Sequence, residues 1–339
     1  DRIQWLSEPH IRTDRLVEAC GGDATAAMEA CVAALDRIGE EELFLFQREI
    51  RGELDIEQAG IAGAPGYGGP GISEAARAFL LRSWRDRVLY EFEPGLFAPA
   101  WRYYDTTAWP TLSEGEKGAL EGLFRLKREK GEAGWEANGR KLLGMLKASS
   151  SMLPCAEDLG SVPGCVPRVL SDLGILGLRV LRWTRDWAAQ GQPYVPASAY
   201  PKLAIACPSV HDSTSLRGWY EGEADKAQVW SFAAAALGKD LGPAPESLDP
   251  QAALVLLKAV AAVNSAVAVY PIQDLLAMAP VEAAARGAYR PADPADERVN
   301  VPGTTNEWNW GWRLPVTLEA IAADGGLAKA ARELAAAKR

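Results

Sequence analysis

The sequence predicts an α/β fold in which parallel βα units follow a mostly helical first part. Three observations carry this. Four short apolar runs, at 151–156, 176–183, 203–209 and 265–272, stand in the second part of the chain. Stretches of helical periodicity separate and follow them, at 163–174, 219–237, 250–264 and 317–337. The first 148 residues instead carry helical periodicity, cap signals and turn-like loops. Strand–helix alternation is the pattern of a parallel sheet, and four such units make half of a (β/α)8 barrel or a small open sheet.

Taken in order, residues 23–38, "DATAAMEACVAALDRI", predict one helix. Asp23 is its N-cap, and Met28, Cys31, Val32, Leu35 and Ile38 follow the three–four spacing of a buried face. "QAGIAGAPGYGGPGI" (58–72) is a Gly/Pro-rich loop. Ser73 then caps a helix predicted to run through "EAARAFLLRSWRDRVLY". "WRYYDTTAWP" (101–110) is aromatic and turn-like. "SEGE" at 113–116 is a capping box ahead of Leu120, Leu123 and Phe124, and a further helix covers about 135–148.

The chain's 339 residues suffice for one large domain or two ordinary ones, and 48 % apolar with 24 % charged residues is a globular balance. A net charge of −9 with scattered basic residues argues against nucleic acid or an anionic membrane as partner. No apolar stretch reaches the ~18–20 residues of a spanning helix. "DRIQWLSEPH" lacks the basic and apolar regions of a signal peptide. The five cysteines, Cys20, Cys31, Cys155, Cys165 and Cys207, contain no CxxC pair. That supports neither a zinc knuckle nor a disulfide scaffold, and reduced thiols place the chain in the cytoplasm. Two histidines, His10 and His211, leave little for a His-based metal site, so neither metal nor cofactor is expected.

Four segments could carry chemistry. "GYGGPG" (66–71) matches G-x-G-x-x-G, but no strand precedes it and Pro70 lies inside it, so a surface loop is the reading. Glu157 and Asp158 end the first predicted strand, where parallel α/β folds place their reactive groups. The bland alternative is that Asp158 caps the next helix and Glu157 pairs with a surface Arg. His211 and Asp212 end the third strand in "PSVHDSTSLRGWY" (208–220). A lone His is more often structural, but here it lies beside an acid at a strand end, a place equivalent to that of Glu157. "NEWNWGWRLP" (306–315) spaces Trp308, Trp310 and Trp312 two apart, one face if it is a strand. A packed core stripe is the alternative. The interleaved Asn306, Glu307, Asn309 and Arg313 instead suit a sugar, with an apolar ring face and hydroxyls at its rim.

"CAEDLGSVPGCVPRVLSDLGILGLRVLRW", "CPSVHDSTSLRGWY", "YPIQDLL" and "RVNVPGTTNEWNWGWR" together resemble glycoside hydrolase family 77, the 4-α-glucanotransferases or amylomaltases. The nearer likeness is to the large plant-type branch, with a long helical insert ahead of the E-D-L-G strand. The resemblance implies a (β/α)8 TIM barrel and retaining transfer of α-1,4-glucan segments through a covalent glycosyl-enzyme. Residues 1–148 would be the helical insert and 149–339 the C-terminal half of the barrel. It implies Glu157 as general acid/base, Asp212 as the acid that stabilises the oxocarbenium-like state, and His211 as the adjacent sugar-binding residue. Trp219, Gln273, Asp274, Asn309, Trp310 and Arg313 would line the substrate. Asp158, also counted among the substrate-facing residues, has a supporting or capping role.

The family's nucleophile is an Asp in an R-x-D-H motif, and no R-x-D-H occurs in this chain. The expectation is therefore a chain that lacks the nucleophile strand, is not competent alone, and needs the missing N-terminal half or self-association. Malto-oligosaccharides or glucan are the expected partners. Two other readings stand: a non-catalytic glucan-binding module, and an unrelated α/β enzyme. If a nucleophile is present after all, Asp186 and Asp274 are the remaining acids near predicted strand ends.

Overall fold

The computed structural model describes residues 2–39, 42–60, 71–280 and 289–338. The chain divides into two compact units, Asp1–Lys130 and Gly131–Arg339. Of the "GYGGPG" segment, residues 66–70 lie outside the described residues.

In the first unit Asp23 caps the helix Ala24–Ala34 as expected, its carboxylate accepting from the N–H groups of Thr25 and Ala26. The helix stops earlier than expected because Leu35 enters a strand. Strands β1 (Ile11–Arg12), β2 (Leu35–Arg37) and β3 (Leu43–Phe46) form an antiparallel sheet in the order β1-β3-β2, with Leu35 opposite Phe46. The buried face also differs from the expected stripe. Ala27, Ala30, Cys31 and Ala34 pack inward, while Met28 and Val32 are exposed. Alanines allow close approach to Ile11, Leu16, Ile56 and Leu80, which fill this core.

Ser73 caps the helix Glu74–Trp84, accepting from Ala76 N–H. That helix ends at Trp84 rather than running to Tyr90. The Arg87 guanidinium folds back, donating to the Trp84 carbonyl at 2.7 Å and lying over its ring, so a side chain satisfies a free carbonyl of the last turn. The chain continues instead as the hairpin β4 (Leu89–Glu93) and β5 (Leu96–Pro99). "Mostly helical" thus missed two small antiparallel sheets. The aromatic stretch 101–110 forms short 3-10 turns, as its composition predicts.

The capping box at Ser113 is formed: Ser113 N–H donates to Glu116 at 2.8 Å and its hydroxyl accepts from Glu116 N–H. It opens one helix, Glu114–Ala148, where two were expected, and the division between the units falls inside it.

In the second unit β6 (Gly177–Val180), β7 (Ala204–Cys207) and β8 (Val267–Ala268) form a parallel sheet in chain order. Cys155 adds a single parallel bridge to Leu176. All four expected strand positions are therefore paired in parallel, although the first contributes one bridge only. The expected helix at 163–174 is Cys165–Leu173, and that at 250–264 is Pro250–Ala262. The stretch 219–237 is two helices, Leu216–Gly222 and Lys226–Leu237, because Asp225 caps the second. Asp324 likewise separates Leu318–Ala323 from Gly325–Ala337. Tyr220, Leu248, Leu256, Leu257 and Leu276 lie at the centre of this core. No helix among the described residues is long and apolar enough to cross a membrane.

Candidate functional site

The parallel sheet puts the C-terminal ends of its strands on one edge, where side chains leave the core and become available. Beyond β7 the chain is fixed from beneath by buried polar groups. Asp274 is fully buried; it accepts from Ser209 Oγ at 2.5 Å and from Leu216 N–H at 2.7 Å. Burial pushes its carboxyl up to about 6. Arg182, also buried, donates to Thr214 Oγ1 at 2.7 Å, and burial pushes its guanidinium down to about 10. Glu297 is buried against Arg217, with Nε to Oε1 at 2.8 Å, and accepts from Ser215 Oγ. These pairs lock both ends of the 209–217 loop.

His211 and Asp212 stand at the top of that loop. Asp212 Oδ1 accepts from Asn300 Nδ2 at 2.6 Å and lies 3.4 Å from His211 Nε2. Its side chain is 41 % exposed. Asn300 N–H donates to the His211 carbonyl at 3.2 Å, and Arg298 Nη2 lies 3.4 Å from the Asp212 carbonyl. The segment 297–300 thus straps the loop from Ser215 to His211.

The tryptophan loop joins the same edge. Trp310 N–H donates to the Val299 carbonyl at 2.7 Å, and the Trp310 ring lies 5.0 Å from the His211 ring. Trp310 has φ of +63°, a left-handed conformation that a bulky residue rarely adopts. Its side chain is held out of the core, 66 % exposed, and Trp308 is exposed too. The segment is a turn, not a strand, so the three tryptophans share no face and the core-stripe alternative is excluded. Trp312 is half-buried and lines a cavity of about 290 Å³ with Gln273, Tyr289, Glu297 and Arg313.

Other expected residues sit elsewhere. Trp219 is 4 % exposed and belongs to the core, because the helix Leu216–Gly222 turns Leu216, Trp219 and Tyr220 inward. Asp274 is likewise structural, for the reasons above. Gln273 is buried, with Nε2 3.4 Å from the Glu297 carbonyl. Asn309 spends its amide on its own loop, donating to the Thr304 carbonyl at 3.0 Å and accepting from Val301 N–H at 3.1 Å. Asp158 does not cap the following helix. Its buried carboxylate meets Arg179 Nη1 at 2.9 Å through both oxygens and accepts from Leu178 N–H at 2.7 Å. Both of its oxygens are engaged by these partners. Asp186 caps its own turn, accepting from Ala188 and Ala189 N–H.

Glu157 is exposed beyond the Cys155 bridge and makes no hydrogen bond or ion pair among the described residues. Met152 and Leu153, in the apolar run ahead of it, are themselves exposed and do not shelter it. The structure joins His211, Asp212 and Trp310 into one cluster, with Asn300 and Arg298, which sequence reasoning had not singled out. Both lay inside the quoted "RVNVPGTTNEWNWGWR", and an Asn two residues beyond an Arg gives no sign of which loop it will hold.

The model of the 4-alpha-glucanotransferase family matches residues 97–318. 4-alpha-glucanotransferase DPE2 of Oryza sativa subsp. japonica is 32 % identical over 242 residues, covering 70 % of this chain and 24 % of that protein. A 4-alpha-glucanotransferase of Chlamydia muridarum is 33 % identical over 189 residues, 56 % of this chain and 33 % of that protein. The chain therefore spans about a quarter to a third of the length of these relatives. Among solved structures, amylomaltase from Streptococcus agalactiae in complex with acarbose superposes with a TM-score of 0.41 at 22 % identity, covering 58 % of this chain and 35 % of that one.

Proposed function

This chain belongs to the 4-alpha-glucanotransferase family, and we propose that it supplies the acid/base, the stabilising acid and the sugar-facing aromatic wall of a retaining α-1,4-glucan transferase. The observation that carries the reading is the cluster of His211, Asp212 and Trp310. One oxygen of an exposed carboxylate is held by Asn300 and lies 3.4 Å from His211 Nε2, and an exposed indole stands beside the imidazole. An open carboxylate oxygen beside an aromatic face is what a glucosyl ring needs: charge compensation at its reacting carbon and an apolar surface for a ring face. The relatives' shared name, with identities of 32 % and 33 %, supports the same chemistry.

In this reading a carboxylate attacks the anomeric carbon while Glu157 protonates the departing glycosidic oxygen, leaving a covalent glycosyl-enzyme. Glu157, now ionised, then takes the proton of an acceptor sugar hydroxyl that displaces the enzyme carboxylate. Asp212 lowers the energy of both oxocarbenium-like states. An acid that is exposed here gains its shelter when substrate and the rest of the catalytic domain close over it. The nucleophile is assigned to a segment outside this chain, since the chain holds no R-x-D-H. The parallel order of Cys155, β6, β7 and β8 fits one half of a (β/α)8 barrel, with 1–148 as its insert. A cytoplasmic location, read from the thiol usage, belongs to the same proposal.

Glucose release from maltotriose tests this. The chain alone is expected to release none, and the chain combined with a polypeptide that carries R-x-D-H is expected to disproportionate maltotriose. In that active form Glu157→Gln should lower turnover by roughly 10²–10⁴-fold. Robust transfer by the chain alone removes the divided-site reading. Glucan binding without transfer in either form favours a non-catalytic module.

A further inference from the structure

The strap over the His211–Asp212 loop contains a residue whose two hydrogen bonds address both members of the pair. Asn300 N–H donates to the His211 carbonyl, and Asn300 Nδ2 donates to Asp212 Oδ1 at 2.6 Å. His211 Nε2 faces the same oxygen, Oδ1. Oδ2 accepts no hydrogen bond among the described residues. The strap is itself anchored, by buried Glu297 on Arg217 at one end and by the Trp310 N–H to Val299 carbonyl bond beyond. A carboxylate left to rotate would share both oxygens with water. One held at Oδ1 by an anchored amide presents Oδ2 in a fixed direction.

We propose that Asn300 is the positioning residue of this site: its amide fixes the rotation of the Asp212 carboxylate and aims Oδ2 at the positively charged centre of a bound sugar or sugar analogue. This rests on the reading of His211–Asp212 as sugar-facing. The ionisable groups around the carboxylate are His211 on the same loop, Arg298 on the strap, and Asp296 and Glu307 along the adjoining cleft. All of them are retained in the variants below, and each variant is compared with wild type at the same pH.

The test is calorimetric titration with acarbose, an oligosaccharide analogue with a basic bridging amine, for wild type, Asn300→Ala, Asn300→Asp and Asp212→Asn. Thermal unfolding is followed in parallel. Removing a hydrogen bond to a charged group should weaken Asn300→Ala by about tenfold at both about pH 4.5 and about pH 7.5. Asn300→Asp should approach wild type at about pH 4.5, where one proton shared between the two carboxyls stands in for the amide hydrogen. It should fall by about tenfold or more at about pH 7.5, where both carboxyls are ionised. Asp212→Asn should lose binding at both. If Asn300→Ala and Asn300→Asp weaken binding equally at both pH values, or neither does while Asp212→Asn still loses it, Asn300 does not position Asp212 and the proposal is overturned. If Asp212→Asn binds acarbose as wild type does, or wild type does not bind it, the functional reading fails and takes this proposal with it.

Discussion

Two aspartates above β7 show how little a residue's type decides by itself. Asp212 and Asp274 both belong to the quoted motifs, yet one is an exposed carboxylate in a loop and the other is buried beneath it. For Asp274 the burial has a thermodynamic consequence. Its carboxyl is raised to about 6 in the folded protein, above the ordinary carboxylate range, so the folded state holds that proton more tightly than the unfolded chain does. The stability it contributes is full below about pH 4 and is lost as pH rises through about 6. Asp274→Asn can still accept from Leu216 N–H and donate to Ser209. The difference in unfolding free energy between wild type and this variant should therefore shift in the variant's favour as pH rises from about 4 to about 6, by up to a few kcal/mol. Denaturation curves across that range check it; a constant difference would show that Asp274 does not titrate there. Sequence named both acids as candidates. Their opposite fates depend on the element each enters: Asp274 lies on the inward face of the helix Ile272–Ala277, and Asp212 lies in the turn above β7, a difference that the residue type does not reveal.

The four parallel strand positions were legible at the level of elements, because short apolar runs bounded by helical patterns are long enough for a buried strand and too short for a buried helix. Element ends were not. The helix after Ser73 stops because Arg87 reaches back to the Trp84 carbonyl, and the helix after Asp23 stops because Leu35 finds Phe46 in β3. Both events depend on partners outside the local window. β6 holds a constraint of the same kind. A Cβ at Gly177 would stand 2.8 Å from Asp158 Oδ2 and 3.2 Å from Oδ1, so the glycine is what lets the carboxylate reach Arg179 and Leu178 N–H. Gly177→Ala must displace the Asp158 carboxylate from Leu178 N–H and from the part-buried Arg179. Leaving a buried charged acceptor without its hydrogen bonds costs about 1–3 kcal/mol, and urea denaturation should read a loss near that size. A loss below about 0.5 kcal/mol, as at an unconstrained surface site, would mean that Asp158 moves freely and anchors nothing.

Among the described residues of the second unit, exposed apolar side chains line the last part of the long helix and the segment that follows it. Met152, Leu153, Trp135, Leu142, Met145 and Leu146 are exposed in the second unit, on the last part of the long helix and beside the single-bridge strand position at Cys155. Surface of this kind favours association. Sedimentation velocity should therefore show concentration-dependent association of the chain; a monomer at every concentration would count against association through that face. The central claim is that the strand-end cluster of His211, Asp212 and Trp310 receives glucan, and the most direct test is titration of the intact chain with maltoheptaose. Saturable binding is expected. Trp310→Ala should weaken it by about tenfold or more, the loss of a stacked aromatic contact, with little change in stability because the ring is exposed. Trp219→Ala, a core deletion, should instead cost about 3–5 kcal/mol of stability. No binding by wild type, or binding that is indifferent to Trp310, would contradict the account.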